Sequence, residues 1–108
     1  INVTSIGSAA FSSCRNLTNI VIPNSVNKIE NNTFYDCSSL ANITFGSNVT
    51  SIGNEAFKGC KKLTNLTIPN NITNIGANTF QDCIELNNIN IGDGVTKYTR
   101  INIYNISS

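Results

Sequence analysis

The chain has 108 residues, with seven basic residues, six acidic residues and no histidine, so its formal net charge is +1. A nearly neutral chain lacks the basic surface that attracts nucleic acid or an anionic membrane. It also contains no apolar run of about 18 residues, so we expect neither a nucleic-acid partner nor membrane insertion of this segment.

The same residue types return every 23 positions along almost the whole chain. The columns formed in this way are Phe11, Phe34, Phe57 and Phe80; Cys14, Cys37, Cys60 and Cys83; and Leu17, Leu40, Leu63 and Leu86. Self-similarity at a fixed period indicates stacked units, each of which buries its apolar columns against the next. We predict four repeats in residues 1–96, as part of a longer array, followed by a degenerate repeat or C-terminal tail in residues 97–108.

Each unit is predicted to contain one main strand. The strand segments are residues 19–22, 42–45, 65–68 and 88–91, and apart from Val21 their side chains alternate between polar and apolar. Such alternation indicates a half-buried strand, and we expect the four strands to stack into one short parallel sheet. Pro23, Gly46, Pro69 and Gly92 follow the strands and should end them.

The rest of each unit is predicted to form a second, weaker strand and then a short helix. The second strand corresponds to residues 26–29, 49–52 and 72–75. About two turns of helix should follow, as at residues 54–60, because Ala56, Phe57 and Cys60 share one face at spacings of three and four. Ser8, Asn31 and Asn54 stand at the approach to these helices and are residue types that cap helix N-termini.

As one line, the unit is Val-x-x-Ile-Gly-x-x-x-Phe-x-x-Cys-x-x-Leu-x-x-Ile-x-Ile-Pro. Its Leu-x-x-Ile-x-Ile core resembles the strand segment of a leucine-rich repeat. The combination of Ile-Gly, Ala-Phe and Cys-x-x-Leu is similar to the BspA-like, Treponema-type subclass found in surface proteins of bacteria and parasitic protists. The resemblance covers about residues 3–96. The chain differs from the family pattern at a few positions, such as Gly46 and Gly92 in place of proline, but none of these differences shifts an apolar position of the repeat.

This resemblance implies an α/β fold, the leucine-rich repeat solenoid. The expected shape is a right-handed curved coil with a parallel β-sheet on the concave face and short helices on the convex face. The cysteines should then form a column of free, buried thiols. Two alternatives are disulfides between neighbouring units, for which parallel side chains give poor geometry, and metal binding, for which the spacing is wrong and histidine is absent.

The outward-facing strand positions form the candidate partner-binding surface. These residues are Asn19, Val21, Asn42, Thr44, Asn65, Thr67, Asn88 and Asn90. Asparagine and threonine donate and accept hydrogen bonds without carrying charge, and solenoids use such concave surfaces for binding, as the resemblance also implies. In the alternative interpretation these side chains only bond to each other and to water. Asn42 and Asn65 also begin N-x-Thr sequons, so glycans could mask this surface in a secreted eukaryotic protein.

The sequence contains no catalytic constellation. It has no histidine, no Gly-rich phosphate loop and no G-x-S-x-G motif. Its carboxylates occupy mostly different positions of the repeat, so most of them do not line up between units. We therefore predict no enzymatic activity and no cofactor. The predicted function is a protein-interaction module of a cell-surface or secreted protein that adheres to a host or extracellular matrix protein; the alternative is a structural spacer or an intracellular scaffold.

Overall fold

A computed structural model describes residues 5–92 and residue 94. It contains two kinds of strand that alternate along the chain. The main strands are β1 (Asn19–Val21), β3 (Asn42–Thr44), β5 (Asn65–Ile68) and β7 (Asn88–Ile91), and the shorter strands are β2 (Lys28–Ile29), β4 (Ser51–Ile52) and β6 (Asn74–Ile75). Both predicted sets of strands are therefore confirmed, with some strand ends shifted by one or two residues. The predicted tail at residues 97–108 lies outside the described residues.

The shorter strands form one parallel sheet in the order β2-β4-β6. Ile29 lies beside Ile52, and Ile52 lies beside Ile75, so each unit pairs with its neighbour at an offset of 23 residues. An isolated parallel bridge between Ile6 and Ile29 extends the same line into the first unit. The stacking of equivalent residues in successive units is thus confirmed.

The main strands do not form the single four-stranded sheet that was expected. β1 pairs with β3 and β5 pairs with β7, both in parallel, but within the described residues no pairing joins β3 to β5. The residues that end the strands also differ at this interruption. The N–H of Gly92 donates to the Ile68 carbonyl at 2.7 Å, whereas Pro69, the equivalent residue one unit earlier, has no N–H to donate.

The predicted short helices are also absent from the described residues, and turns replace them. At residues 54–60, where a helix was expected, the N–H of Glu55 donates to the Ala77 carbonyl and the N–H of Phe57 donates to the Thr79 carbonyl. Both carbonyls belong to the next unit, and both distances are 3.0 Å. Glu55 has a φ of 56° and Gly59 a φ of 79°, and neither angle belongs to a right-handed helix. We call residues 54–60 and their equivalents in the other units the turn arc. Its N–H groups alternate: those of Glu55, Phe57 and Gly59 bond to the next unit, as in strands, while those of Lys58 and Cys60 bond within the unit to the carbonyl three residues back.

The residues predicted to cap these helices instead connect neighbouring units. The Asn31 Oδ1 accepts a hydrogen bond from the N–H of Asn54 at 2.8 Å, and the Asn54 Oδ1 accepts one from the N–H of Ala77 at 2.9 Å. The preference of asparagine for accepting a backbone N–H is the property on which the capping prediction was based. The acceptor role is present, but the donor lies in the following unit.

The core consists of the predicted apolar columns. The rings of Phe11, Phe34, Phe57 and Phe80 stack with centroids 5.4, 5.1 and 5.7 Å apart and with their planes within 5° of parallel. The last three of these rings are fully buried, while Phe11, in the first unit, is partly exposed. The interior column of phenylalanines is confirmed, and it runs without interruption past the gap between β3 and β5.

Candidate functional site

The eight predicted binding residues lie on one exposed surface, which we call the Asn/Thr face. They are Asn19, Val21, Asn42, Thr44, Asn65, Thr67, Asn88 and Asn90, and every one of them is exposed. Their outward direction follows from strand alternation, because the intervening residues point inward, as Leu66 does at 2 % exposure.

The Asn/Thr face is divided into two halves. Within the first half, Asn19 is in register with Asn42 and Val21 with Thr44. Within the second half, Asn65 is in register with Asn88 and Thr67 with Asn90. The sequence predicted two continuous rows of four residues, whereas the break between β3 and β5 leaves two rows of two on each side.

Asparagine side chains in the first half bond to one another. The Asn42 Nδ2 donates to the Asn19 Oδ1 at 2.8 Å, and the Asn19 Nδ2 donates to the Thr18 Oγ1 at 3.2 Å. In the second half the Asn65 Nδ2 donates to the Thr64 Oγ1 at 3.5 Å, which is a weak bond. The amides of the first half are therefore engaged with one another, while those of the second half are held less firmly.

Depressions open on this side of the described residues. A shallow one of about 420 Å³ covers the second half and is lined by Asn65, Leu66, Thr67, Asn88, Ile89 and Asn90. A cleft of about 300 Å³ lies between β3 and β5 and is lined by Ile43, Thr44, Phe45, Thr67 and Pro69. This cleft was not predicted from the sequence, although the alternation of glycine and proline at the strand ends was a signal for it.

Charged side chains are concentrated away from the Asn/Thr face. Among the residues that the structure describes, four ion pairs join Arg15 to Asp36, Lys28 to Glu30, Lys58 to Glu55, and Lys62 to Glu85, at 2.8 to 3.8 Å. The face itself carries no charged residue and can contact a partner only through amides, hydroxyls and the exposed Val21 side chain. Neutral hydrogen bonding is thus the chemistry that it offers.

A further depression, which was not predicted from the sequence, lies on the turn arc. It has a volume of about 410 Å³ and is lined by Tyr35, Asp36, Lys58, Gly59, Lys61, Asp82 and Ile84. Ile84 is 67 % exposed, and the Lys58 Nζ lies 6.0 Å from the centroid of the Tyr35 ring. The sequence did contain a signal for this depression. Ile84 occupies a repeat position at which the other units carry the polar residues Arg15, Ser38 and Lys61.

The four cysteines are free, and three of them are buried in a column. Their thiols donate to carbonyls of the preceding unit, for example from the Cys83 Sγ to Phe57 at 3.2 Å and from the Cys37 Sγ to Phe11 at 3.1 Å. Burial raises the pKa of Cys60 far above its ordinary value and raises that of Cys83 to about 12. The buried thiols are therefore protonated and unreactive at neutral pH.

Within the described part of the chain, no three acidic, cysteine or histidine side chains come close enough together to hold a metal ion. The same residues contain no helix with the length and apolar character needed to cross a bilayer.

The chain is similar in sequence and structure to known bacterial proteins. The family model described as "BspA type Leucine rich repeat region (6 copies)" matches residues 1–107. A leucine-rich repeat protein from Bacteroides capillosus is 31 % identical, with a TM-score of 0.75, and the match covers 82 % of this chain and 63 % of that one. The chain thus spans less than two thirds of the length of that relative. No curated protein matches it.

Two longer structures are similar over most of this chain. A leucine-rich repeat protein from Bacteroides ovatus is 34 % identical over 86 % of this chain and 30 % of its own, with a TM-score of 0.59. A leucine rich cell surface protein from Faecalibacterium prausnitzii is 29 % identical over 87 % of this chain and 32 % of its own, with a TM-score of 0.60. Parallel strands at a 23-residue offset, the phenylalanine and cysteine columns and the family match over nearly the full length lead to one conclusion: the chain belongs to the family of BspA-type leucine-rich repeat proteins.

Proposed function

We propose that this chain is a non-catalytic protein-interaction module of a cell-surface or secreted protein. In this proposal the Asn/Thr face contacts a host or extracellular matrix protein, and no cofactor takes part. Leucine-rich repeat domains generally mediate protein contacts, which supports the general class of function. The Faecalibacterium prausnitzii relative is a cell surface protein, which supports the proposed location.

One observation carries the proposal: eight outward side chains, in register within each half of the face, form a neutral, exposed surface, while the ion pairs lie elsewhere. Such a surface lacks the Trp, Tyr and Arg anchors that dominate tight interfaces. Each contact is therefore weak, and useful avidity comes from many repeats of a longer array acting together. Binding should depend only weakly on salt, because no charged residue of the face takes part.

The test is to place charges on the Asn/Thr face and to measure adhesion to a surface coated with extracellular matrix proteins. The variant carries four substitutions: Asn42→Lys, Thr44→Glu, Asn65→Glu and Thr67→Lys. A matched control carries four similar changes at exposed positions outside the face: Asn16→Lys, Asn27→Glu, Thr73→Lys and Asn74→Glu. We expect adhesion to be lost in the first variant and kept in the control, with unchanged circular dichroism spectra for both.

Undiminished adhesion of the folded face variant would show that the contact lies elsewhere.

The second candidate function is a structural spacer, and the unbroken stack of phenylalanine rings through all four units favours it. A spacer requires only that the array be extended and stable. It predicts that wild type, face variant and control all fail to adhere, while shortening the array in the parent protein changes the reach of its flanking domains.

A further inference from the structure

The joint between the second and third units is closed on one side and open on the other. On the closed side, β2, β4 and β6 continue through it, and the Phe34 and Phe57 rings stack 5.1 Å apart. The turn arc also continues, because the N–H of Phe34 donates to the Ala56 carbonyl at 2.8 Å. On the open side, β3 and β5 are unpaired and the 300 Å³ cleft separates them.

Glycine and proline at the strand ends decide which joints close. A Cβ added to Gly46 would lie 2.6 Å from the Ile22 carbonyl oxygen, and one added to Gly92 would lie 2.6 Å from the Ile68 oxygen. Only glycine allows so close an approach between strand ends. Pro69 takes this place at the joint between the second and third units, and its ring and missing N–H prevent the same contact.

Phe45 stands beside Pro69 in the open joint. The equivalent residues of the other units are all isoleucine: Ile22, Ile68 and Ile91. Phe45 is half-buried, whereas Ile22 and Ile68 are each 1 % exposed. Its ring meets Phe57 edge to face, with centroids 6.1 Å apart, and its remaining surface lines the cleft. A bulky side chain thus fills the inner end of the open joint and holds the strand ends apart.

The hydrogen bonds of the main strands repeat every two units, whereas those of the shorter strands and the turn arc repeat in every unit. The Thr18 carbonyl accepts from the N–H groups of Ala41 and Asn42, and the Thr64 carbonyl, 46 residues later, accepts in the same way from Asn87 and Asn88. Pro23 and Pro69 are also 46 residues apart. The structural block is therefore a pair of units, closed within itself at a glycine and separated from the next pair at a proline.

We propose that the joint between the second and third units is a hinge built by Pro69 and Phe45. The closed side, with its continuous sheet and stacked rings, is the axis, and the unpaired edges of β3 and β5 move apart and together. Such motion changes the angle between the two halves of the Asn/Thr face. It needs no rupture of strand pairing, because within the described residues there is none to break at this edge. The hinge does not depend on the proposed adhesion, which can fail independently.

NMR measurements on the chain test the hinge, with proline-to-glycine variants at two equivalent positions. In the wild type we expect microsecond-to-millisecond relaxation dispersion confined to residues 43–45 and 65–68. Backbone amides facing the open joint should exchange with solvent about tenfold or more faster than their equivalents in the paired strands. Pro69→Gly should remove the dispersion and slow this exchange, because it restores the N–H and the close approach.

Pro23→Gly is the matched control, because Pro23 lies in the first unit, away from this joint. Pro23→Gly makes the unfolded chain more flexible to the same extent as Pro69→Gly does, but it should leave the relaxation dispersion at the joint unchanged. Flat dispersion profiles at the joint in the wild type would overturn the hinge, whether or not either variant folds. Dispersion that persists in folded Pro69→Gly would overturn the role of the proline.

Discussion

Phe34 and Phe57 stack face to face, 5.1 Å apart and 5° from parallel, across the one joint in the described residues where the neighbouring main strands do not pair. This is also the shortest of the three spacings in the phenylalanine column. Core packing between these units is therefore complete, although their strand hydrogen bonds are missing. The apolar column, together with the sheet of shorter strands and the turn-arc hydrogen bonds, holds the two halves of the described chain together where the main-strand ladder does not.

Removing a ring from the middle of the column should therefore be costly. Phe57→Ala leaves a cavity beside Phe34, Phe45 and Phe80, and we expect it to lower the free energy of unfolding by about 3–5 kcal/mol. Phe11→Ala is the control, because Phe11 is partly exposed and stacks on one ring only. Urea unfolding followed by circular dichroism measures both values. Equal losses for the two variants would contradict an interior column as the main source of stability.

A buried hydroxyl should contribute measurably to the fourth unit. The Thr79 Oγ1 donates to the Gly76 carbonyl at 2.7 Å and approaches the Gly53 carbonyl of the preceding unit at 3.2 Å, in a fully buried site. Thr79→Val keeps the shape but leaves these carbonyls short of a donor, so we expect a loss of about 1–3 kcal/mol in urea unfolding.

Thr73→Val is the matched control for Thr79→Val. Thr73 is exposed, and its Oγ1 donates to the Thr50 carbonyl at 3.3 Å, where water can replace it. The change should alter stability by less than about 0.5 kcal/mol. A loss at Thr73 as large as that at Thr79 would mean that burial does not explain the effect.

The asparagine column on the turn arc should stabilise the contact between units. Asn54→Ala removes the acceptor of the Ala77 N–H, and we expect a loss of about 0.5–2 kcal/mol, the range measured for asparagine caps. Asn54→Asp keeps a side-chain oxygen at the same place and should retain most of the stability. If both variants lose the same amount in thermal unfolding, the bond to Ala77 does not account for the effect.

The buried thiols predict a loss of stability at alkaline pH. The pKa of an unfolded cysteine thiol is about 9, while burial raises that of Cys83 to about 12 and that of Cys60 higher still. The unfolded chain therefore releases these protons first, so the contribution of these thiols to the free energy of unfolding should be constant below about pH 8 and fall from about pH 9 towards pH 12. Urea unfolding at a series of pH values measures this slope.

Substituting two of these thiols supplies the control for the alkaline transition. The double variant Cys60→Ala and Cys83→Ala should be less stable at pH 7 because it leaves cavities, but its free energy of unfolding should fall less steeply above pH 9. An unchanged slope in this variant would assign the alkaline transition to other groups.

Much of the fold was predictable because it depends on residue type at a fixed interval. The recurrence of Phe, Cys and Leu every 23 residues predicted the buried columns, and the apolar-polar alternation around Asn65 and Thr67 predicted which strand residues face outward. Both signals are local, since burial of one unit requires only that its neighbour carry the same residue types. The composition of the Asn/Thr face was equally readable from the sequence.

The helices were predicted wrongly because a helical pattern and a turn arc share the same apolar spacing. Ala56, Phe57 and Cys60 all point inward as expected, yet Glu55 and Gly59 adopt positive φ and the N–H of Phe57 bonds to Thr79. Periodicity within one unit cannot distinguish a bond to residue i−4 from a bond to the next unit. The next unit supplies the acceptors for the N–H groups of Glu55, Phe57 and Gly59, so the choice was tertiary.

The sequence by itself therefore determined the repeat, the core columns and the neutral chemistry of the exposed face, because each follows from which residue types recur at which station. The tertiary structure alone decided that this face is divided at Pro69. That outcome depends on how closely two strand ends can approach, and Phe45 and Pro69, which are far apart in the sequence, line the same cleft only in the folded chain.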